Sequence, residues 1–533
     1  MTKSETEVAY QSISPSDFFY RNREIAGFSN PSRAIYAAVR ELLENSLDAC
    51  ESISIPPKIY LRITETMPSD AERESAVYIL RIEDNGTGIP SEHVPRCFGQ
   101  VFYGSKYNLK QARGTFGLGG TITVLYGQIT THKPVKVISS TGAEIHEYEM
   151  MIDIEYNRPM ILRHTVLENR KGWRGTIVEL HLEGDYTRSM SKLYEYLKQT
   201  AMVCPYADIT FVDPKGRLYR FESATNIMPK PPKTVRPHPH GIDVETLRRM
   251  TSISKAKNMK LFMTEQFQGV GATTAEKFLS FAGIDPKTDP KSLSPDDIVK
   301  LVRAAKEFKE FLRPDASCLS PLGEELLSTG IRKELNLTER DFLRVYQRHP
   351  STYSGFPFIV EAAIALGRSL SKNEEGSKVI YRFANRIPLL FDESSCVVWK
   401  VVNKNINWST YKVSNDTPLV IAVHLCSTKI PYKSVGKEFL ADQPEVEREI
   451  TNALRHIARY LRLYISRNIR LAKEKRRLNV FEKFLPKIAE FSAKLADKPE
   501  PPDIKPLLSA VGAELPEVER KIREVPQIAG END

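Results

Sequence analysis

The 533-residue chain predicts an α+β / α/β multidomain protein, and three observations carry that expectation. The length exceeds what one hydrophobic core serves, so three or four domains are expected. A helical period over residues 31–49 gives way to alternating, β-branched runs at 58–64 and 76–82 that read as strands. Residues 228–241 then hold five prolines, a stiff, extended connector between this first part and the rest of the chain. Beyond it come a short-looped helical segment, 242 to about 313, and a second mixture of strands (378–383, 397–402, 418–425) and helices.

The first helix is readable at both ends of its logic. Asn30 suits the N-cap, Pro31 the first turn, and 33–49 contains no breaker. At about 100° per residue, Glu41, Asn45 and Asp48 fall within about 60° of one another, opposite Ile35, Val39, Leu42, Leu43, Ser46 and Leu47. An acid and an amide one turn apart can share a ligand. An ordinary amphipathic helix with a solvated polar face fits the same pattern.

Downstream, the strand at 76–82 runs into Glu83-Asp84-Asn85-Gly86-Thr87-Gly88. A carboxylate fixed at a strand end can accept from an exocyclic amine, and the glycines let a ligand approach the backbone; a tight turn would look alike. Gly104-Ser105-Lys106 follows, then Gly114-Thr115-Phe116-Gly117-Leu118-Gly119-Gly120-Thr121 ahead of an apolar segment. That pattern suits a phosphate-cradling loop at a helix N-terminus, or equally a flexible packing turn, and it lacks the Gly-Lys-Ser/Thr ending of a P-loop. Gly175-Thr176 opens a further strand, with Thr176 a candidate ligand hydroxyl.

Net charge is +9, which points toward an acidic partner such as nucleic acid. The six cysteines are scattered without ligand spacing, so neither a zinc site nor a disulfide framework is expected, and a reduced, intracellular setting fits. No apolar run approaches the roughly 20 residues of a membrane span, and a soluble protein that is not exported is expected.

In this order, the four motifs together resemble the GHKL, or Bergerat-fold, ATPases. The resemblance implies an α/β sandwich that binds ATP and Mg2+. It makes Glu41 the general base and Asn45 the metal ligand, places Asp84 at the adenine amine, and makes the loop from Gly114 to Thr121 a lid, with Ser105 and Lys106 at the nucleotide. Glu44 competes as base but lies about 60° around the helix from Glu41. Related sequences carry lysine where this chain has Thr121, which makes Thr121 a weaker ligand than the glycines.

Further along, Gly269-Val270-Gly271 opens a helix near Arg248, Arg249, Lys255, Lys257 and Lys260, a module suited to nucleic-acid phosphates or a plain helical packing domain. Residues 426–438 form a loop containing Lys429, Lys433 and Lys437. That loop, the proline-linked helical insert, Tyr206-Ala207-Asp208 and Ile387-Pro388-Leu389-Leu390 are similar to the B subunits of archaeal-type DNA topoisomerase VI along nearly the whole chain. This resemblance implies a GHKL domain over 1–235, a helix-two-turn-helix domain over 236–313, a transducer over 314–479 ending in a long helix, and a tail over 480–533. It makes Lys437 the switch lysine at the γ-phosphate. It also implies ATP-driven self-dimerisation around double-stranded DNA, an A2B2 assembly with a cleaving A subunit, and a cytoplasmic, nucleoid-associated place in an archaeal-type cell. No carboxylate cluster or tyrosine context for strand cleavage is evident in this chain. A chaperone-like, protein-remodelling GHKL ATPase is the alternative. The helix expected from 442 to about 479 has an apolar stripe and nine Arg or Lys between Arg455 and Arg477 against Glu474, so it should dock on a partner.

Overall fold

The structure is a computed structural model that describes residues 12–69, 75–104, 109–114, 117–367, 378–414, 417–433 and 437–512. The chain divides into two compact units, residues 1–406 with 418–454, and residues 407–417 with 455–533.

The first unit begins with α1 (Pro15–Arg21) and α2 (Pro31–Ser52). Asn30 caps α2 as expected, its side chain accepting from the Arg33 amide at 2.9 Å. Most of α2 is buried, Arg40 and Glu44 included, while Glu41 and Asp48 are half-buried and Asn45 is exposed. There follow β1 (Lys58–Met67), β2 (Ala76–Glu83), α3 (Val94–Gly99), α4 (Gly119–Thr131), β3 (Val135–Thr141), β4 (Glu144–Asp153), β5 (Arg158–Glu168), β6 (Arg174–Gly184), α5 (Tyr186–Val203), β7 (Asp208–Val212) and β8 (Leu218–Phe221). The eight strands make one sheet, ordered β5-β4-β3-β6-β2-β1-β7-β8 and antiparallel except where β1 meets β7. Inward-facing Leu61, Leu80, Val137 and Leu180 pack under α2, α4 and α5, the two-layer sandwich that the motif order implied.

Residues 222–238 hold no helix or strand, in keeping with their prolines. The helical segment consists of α6 (Val244–Ile253), α7 (Met259–Gln266), α8 (Ala272–Ala282) and α9 (Pro295–Glu307) around its own core of Phe262, Phe267, Phe278 and Phe308.

After α10 (Gly323–Glu334), a second sheet is built from β9 (Phe342–Gln347), β10 (Ser351–Tyr353), β11 (Phe356–Leu366), β12 (Lys378–Ala384), β13 (Ile387–Pro388) and, beyond α11 (Val397–Lys400), β14 (Leu419–Ser427). Its order is β10-β11-β14-β12-β13, with β9 also on β11. The strand expected at 397–402 is instead α11 continued by a π-helical turn, Val401–Asn405. Val397, Val398, Val401 and Val402 are all buried while Asn403 is exposed, so this β-branched run packs with helical spacing and tertiary burial overrides strand propensity.

The two sheet lobes share one continuous core through α5 and α10. At Gly330 the approach is close, since a Cβ there would stand 1.9 Å from the Met202 carbonyl oxygen. Gly330→Ala is therefore expected to cost about 1–3 kcal/mol of stability, because a helix backbone cannot retreat as a side chain can. Chemical denaturation of the variant checks this.

The long helix is α12 (Pro444–Leu495), within which Ile450 and Leu454 are buried in the first unit. It continues past residue 479 to Leu495, and Pro486 is accommodated within it. The second unit comprises residues 407–417, the helix from Arg455, and α13 (Lys505–Gly512), with Ile457, Leu461 and Trp408 buried. Among the described residues, no helix is long and apolar enough to cross a membrane.

Candidate active site

A cavity of about 800 Å3 opens beside α2. Its wall includes Glu41, Asn45 and Asp48 from α2, Gly88 from the loop after β2, and Gly114, Gly117, Leu118, Gly119, Gly120 and Thr121 leading into α4. The second lobe contributes Asn385, Arg386 and Lys437 to the same wall. Three of the four motifs thus reach one space, joined by a lysine nearly 400 positions from Glu41.

The glycines there are spacers with a purpose. A Cβ at Gly119 would lie 1.8 Å from Glu41 Oε2, and one at Gly88 would lie 1.9 Å from the Ser140 carbonyl oxygen. A side chain at Gly119 would displace the Glu41 carboxylate from this position. The α4 N-terminus at Gly119 also presents amides without intrahelical partners to the cavity, the arrangement that suits an anion.

Charge at the base of the cavity is balanced two against two. Arg40 Nη2 donates to Glu41 Oε1 at 2.6 Å, and Lys437 Nζ lies 3.1 Å from Glu44 Oε2 and 4.0 Å from Glu41 Oε1. Burial alone would lower the Lys437 ammonium, but Glu41 and then Glu44 hold it above its ordinary value, so it stays charged. Burial pushes the Glu44 carboxyl up, and Lys437 draws it back. Glu44 is 3% exposed and does not line the cavity, whereas Glu41 does. That separates the two acids by access as well as by angle.

Asp84 does not itself line the cavity. It accepts from Ser46 Oγ at 3.0 Å and from the amides of Gly86 at 2.9 Å and Thr176 at 3.2 Å. Burial raises its pKa against the pull of those three donors. A carboxylate offers about four acceptor positions, so capacity for one further donor is left. Gly175 is fixed by the same corner: its φ is 148°, and a Cβ would meet the Asp84 carbonyl oxygen at 2.1 Å. The Thr176 hydroxyl, a candidate ligand in the sequence, is paired with Ser139 Oγ at 3.2 Å and is not in the cavity wall. Thr121 lines the wall but turns its hydroxyl to the Cys97 carbonyl at 3.3 Å. Ser105, Lys106, Thr115 and Phe116 lie outside the described residues.

Sequence reasoning missed several wall residues. Pro231, Pro232 and Thr234 of the proline-rich run line the cavity, so that run is part of the site as well as a connector. Arg113 binds Asp48 Oδ1 at 2.7 Å and Glu51 Oε1 at 2.6 Å, which gives Asp48 a supporting role. The one available signal was an arginine directly ahead of the first lid glycine.

The family described as histidine kinase-, DNA gyrase B-, and HSP90-like ATPase matches residues 30–182, and the topoisomerase VI B subunit transducer family matches 314–477. The B subunit of type 2 DNA topoisomerase 6 from Saccharolobus shibatae is 41% identical over 484 residues, 90% of this chain and 89% of that protein. The corresponding protein of Saccharolobus solfataricus matches to the same extent, 41% over 484 residues. Among solved structures, the 43K ATPase domain of Thermus thermophilus gyrase B, in complex with an aminocoumarin, is 13% identical with a TM-score of 0.39, covering 96% of this chain and 98% of that one, a likeness too loose to carry an argument. The curated relatives are topoisomerase subunits, and the protein-remodelling alternative falls away. With both sheet lobes matched by family and 41% identity across nine-tenths of its length, the chain belongs to the B subunits of type 2 DNA topoisomerase 6 and is an ATPase-bearing topoisomerase subunit.

Proposed function

We propose that this chain binds ATP with Mg2+ in the cavity beside α2, uses the closure that binding brings about to drive DNA strand passage by a topoisomerase A subunit, and hydrolyses the ATP with Glu41 as general base. The observation that carries this reading is the position of Lys437, which comes from the second lobe yet sits 3.1 Å from Glu44 and 4.0 Å from Glu41 on the helix that bears the base. A cation there gains a partner when a γ-phosphate arrives and loses it on hydrolysis, which links the second lobe to the state of the nucleotide.

The remaining roles rest on chemistry. Glu41 faces the cavity and can take a proton from water, while Arg40 fixes its carboxylate. Asn45 is exposed in the wall and offers a neutral amide oxygen, a hard donor that suits a Mg2+ held by few protein ligands. The metal, when bound, supplies charge neutralisation across the phosphates. Asp84 takes the adenine amine with its spare acceptor capacity. Gly114, Gly117, Gly119 and Gly120 present backbone to phosphate, within a lid that runs from Gly114 to Thr121 and includes Thr115 and Phe116, with Ser105 and Lys106 at the nucleotide.

Two copies meet through their ATPase domains on binding ATP and enclose a DNA duplex. The second lobe relays closure to the A subunit in an A2B2 assembly, in a cytoplasmic, nucleoid-associated setting. The helical segment supports a role at DNA: Arg248, Arg249, Lys255 and Lys257 are exposed, and at Gly271 a Cβ would meet nothing, so packing does not demand glycine there. Sedimentation of the full chain tests the dimer: a non-hydrolysable ATP analogue with Mg2+ should convert monomer to dimer, and ADP should not. An unchanged sedimentation coefficient with the analogue would refute the clamp.

A further inference from the structure

Arg386 holds a backbone conformation that its side chain disfavours. It comes directly after Asn385 in the turn from β12 to β13, with φ of 47° at Asn385 and 65° at Arg386. Turns with two successive positive φ values favour asparagine first and glycine second, so arginine in the second place is strained. Such strain persists only where the surroundings over-determine it, and here they do. The Arg386 amide donates to His424 Nε2 at 2.9 Å, so the network assigns the proton to His424 Nδ1, which donates to Glu361 at 2.7 Å. Glu361 in turn accepts from the amides of Leu322 and Gly323 at the start of α10. The buried Glu361, His424 and Cys426 lie close enough together to suggest a metal site, but both imidazole nitrogens are spent on these bonds. The group is the anchor of a turn.

The guanidinium points the other way, into the first lobe. Arg386 is 5% exposed; its Nη1 lies 3.5 Å from Glu51 Oε2 and donates to the Tyr206 hydroxyl at 3.2 Å. Glu51, near the C-terminal end of α2, is the carboxylate that also holds Arg113 at 2.6 Å. Burial alone would push Glu51 up, yet Arg113 and then Arg386 hold it below the usual carboxylate range. Arg113 immediately precedes Gly114, and the neighbouring Asn385 Nδ2 donates to the Ala112 carbonyl at 3.2 Å. The root of the glycine-rich loop is therefore gripped from α2 and from the second sheet at once, through one shared carboxylate.

We propose that Arg386 is a positioning residue that couples the lid to the second-lobe sheet by sharing Glu51 with Arg113. This rests on the reading of residues 114–121 as a lid over ATP. A shift of the second sheet changes the Arg386–Glu51 and Asn385–Ala112 contacts together, and with them how firmly Arg113 is held. By linkage, lid closure biases the sheet to the same extent.

The test uses the full chain assembled with its A subunit. Arg386→Ala should lower the DNA-stimulated part of ATP turnover at least about tenfold and speed amide exchange at 111–121 in the presence of a non-hydrolysable ATP analogue. Arg386→Lys, which keeps the charge 3.5 Å from Glu51, should restore stimulation to within about threefold. Should Arg386→Ala lose its cooperative unfolding transition, Arg386→Gln, which keeps a donor and removes the charge, serves in its place. Normal DNA stimulation in the uncharged variant overturns the proposal, as does a loss in which ADP affinity falls as far as turnover and lysine rescues neither. If the analogue fails to protect 111–121 even in the parent, the lid reading itself fails; protection equal in parent and variant sinks only the role of Arg386.

Discussion

Glu41→Gln should retain nucleotide binding and lose about 10²–10⁴-fold in ATP turnover, the usual contribution of a positioned general base. Glutamine keeps the side chain's volume against Gly119, where a Cβ would stand only 1.8 Å from Glu41 Oε2. What it removes is the ability to accept a proton. Glu44 cannot substitute, since it is 3% exposed, lies outside the cavity wall and is engaged by Lys437 at 3.1 Å. Single-turnover hydrolysis, with analogue binding measured in parallel, separates the two effects. Turnover at the parental rate would remove Glu41 from the role.

Lys437→Met should have two effects of different origin. ATP turnover falls roughly 10²-fold, as when a preorganised donor to a developing charge is deleted, while affinity for ADP, which lacks the γ-phosphate, stays close to that of the parent. Stability also falls, by up to about 3 kcal/mol, because Glu44 is left buried with its nearest cation gone; Arg40 Nε at 3.9 Å only partly compensates. The deficit should depend on pH. Burial already raises the folded pKa of Glu44, and losing Lys437 raises it further. A carboxyl whose folded pKa exceeds its unfolded value, about 4.3, binds more protons when folded, so stability falls as pH rises through that window. The variant should approach the parent at acid pH and fall away toward neutrality. Denaturation midpoints across pH check the sign, and a deficit that grows on acidification would contradict the placement of the pair.

The parts of this molecule that were legible in the sequence are those fixed by local chemistry. The cap at Asn30, the helix it starts, the strands read at 58–64 and 76–82, which the structure extends to Met67 and Glu83, and the glycine loop feeding α4 each depend on residues a few positions apart. Glu41 and Asn45 fall on the cavity wall because a helix fixes their angle. What was not legible depends on long-range burial. Val397–Lys400 is helical because its valines pack with helical spacing against the rest of the lobe, and no propensity rule signals that. Arg113, Asn385 and Arg386 escaped notice because their partners, Glu51, Ala112 and Tyr206, come from distant segments. Asp84 was placed at the ligand by motif alone; in the structure it accepts from three donors and is not in the cavity wall.

The most direct test is relaxation of supercoiled plasmid by the full chain with its A subunit, supplied with ATP, a non-hydrolysable analogue or no nucleotide. Repeated relaxation should require ATP, and Glu41→Gln with ATP should behave as the parent does with the analogue, giving at most about one passage per enzyme. Relaxation without nucleotide, or at the parental rate by Glu41→Gln, would contradict a cycle driven by hydrolysis at Glu41.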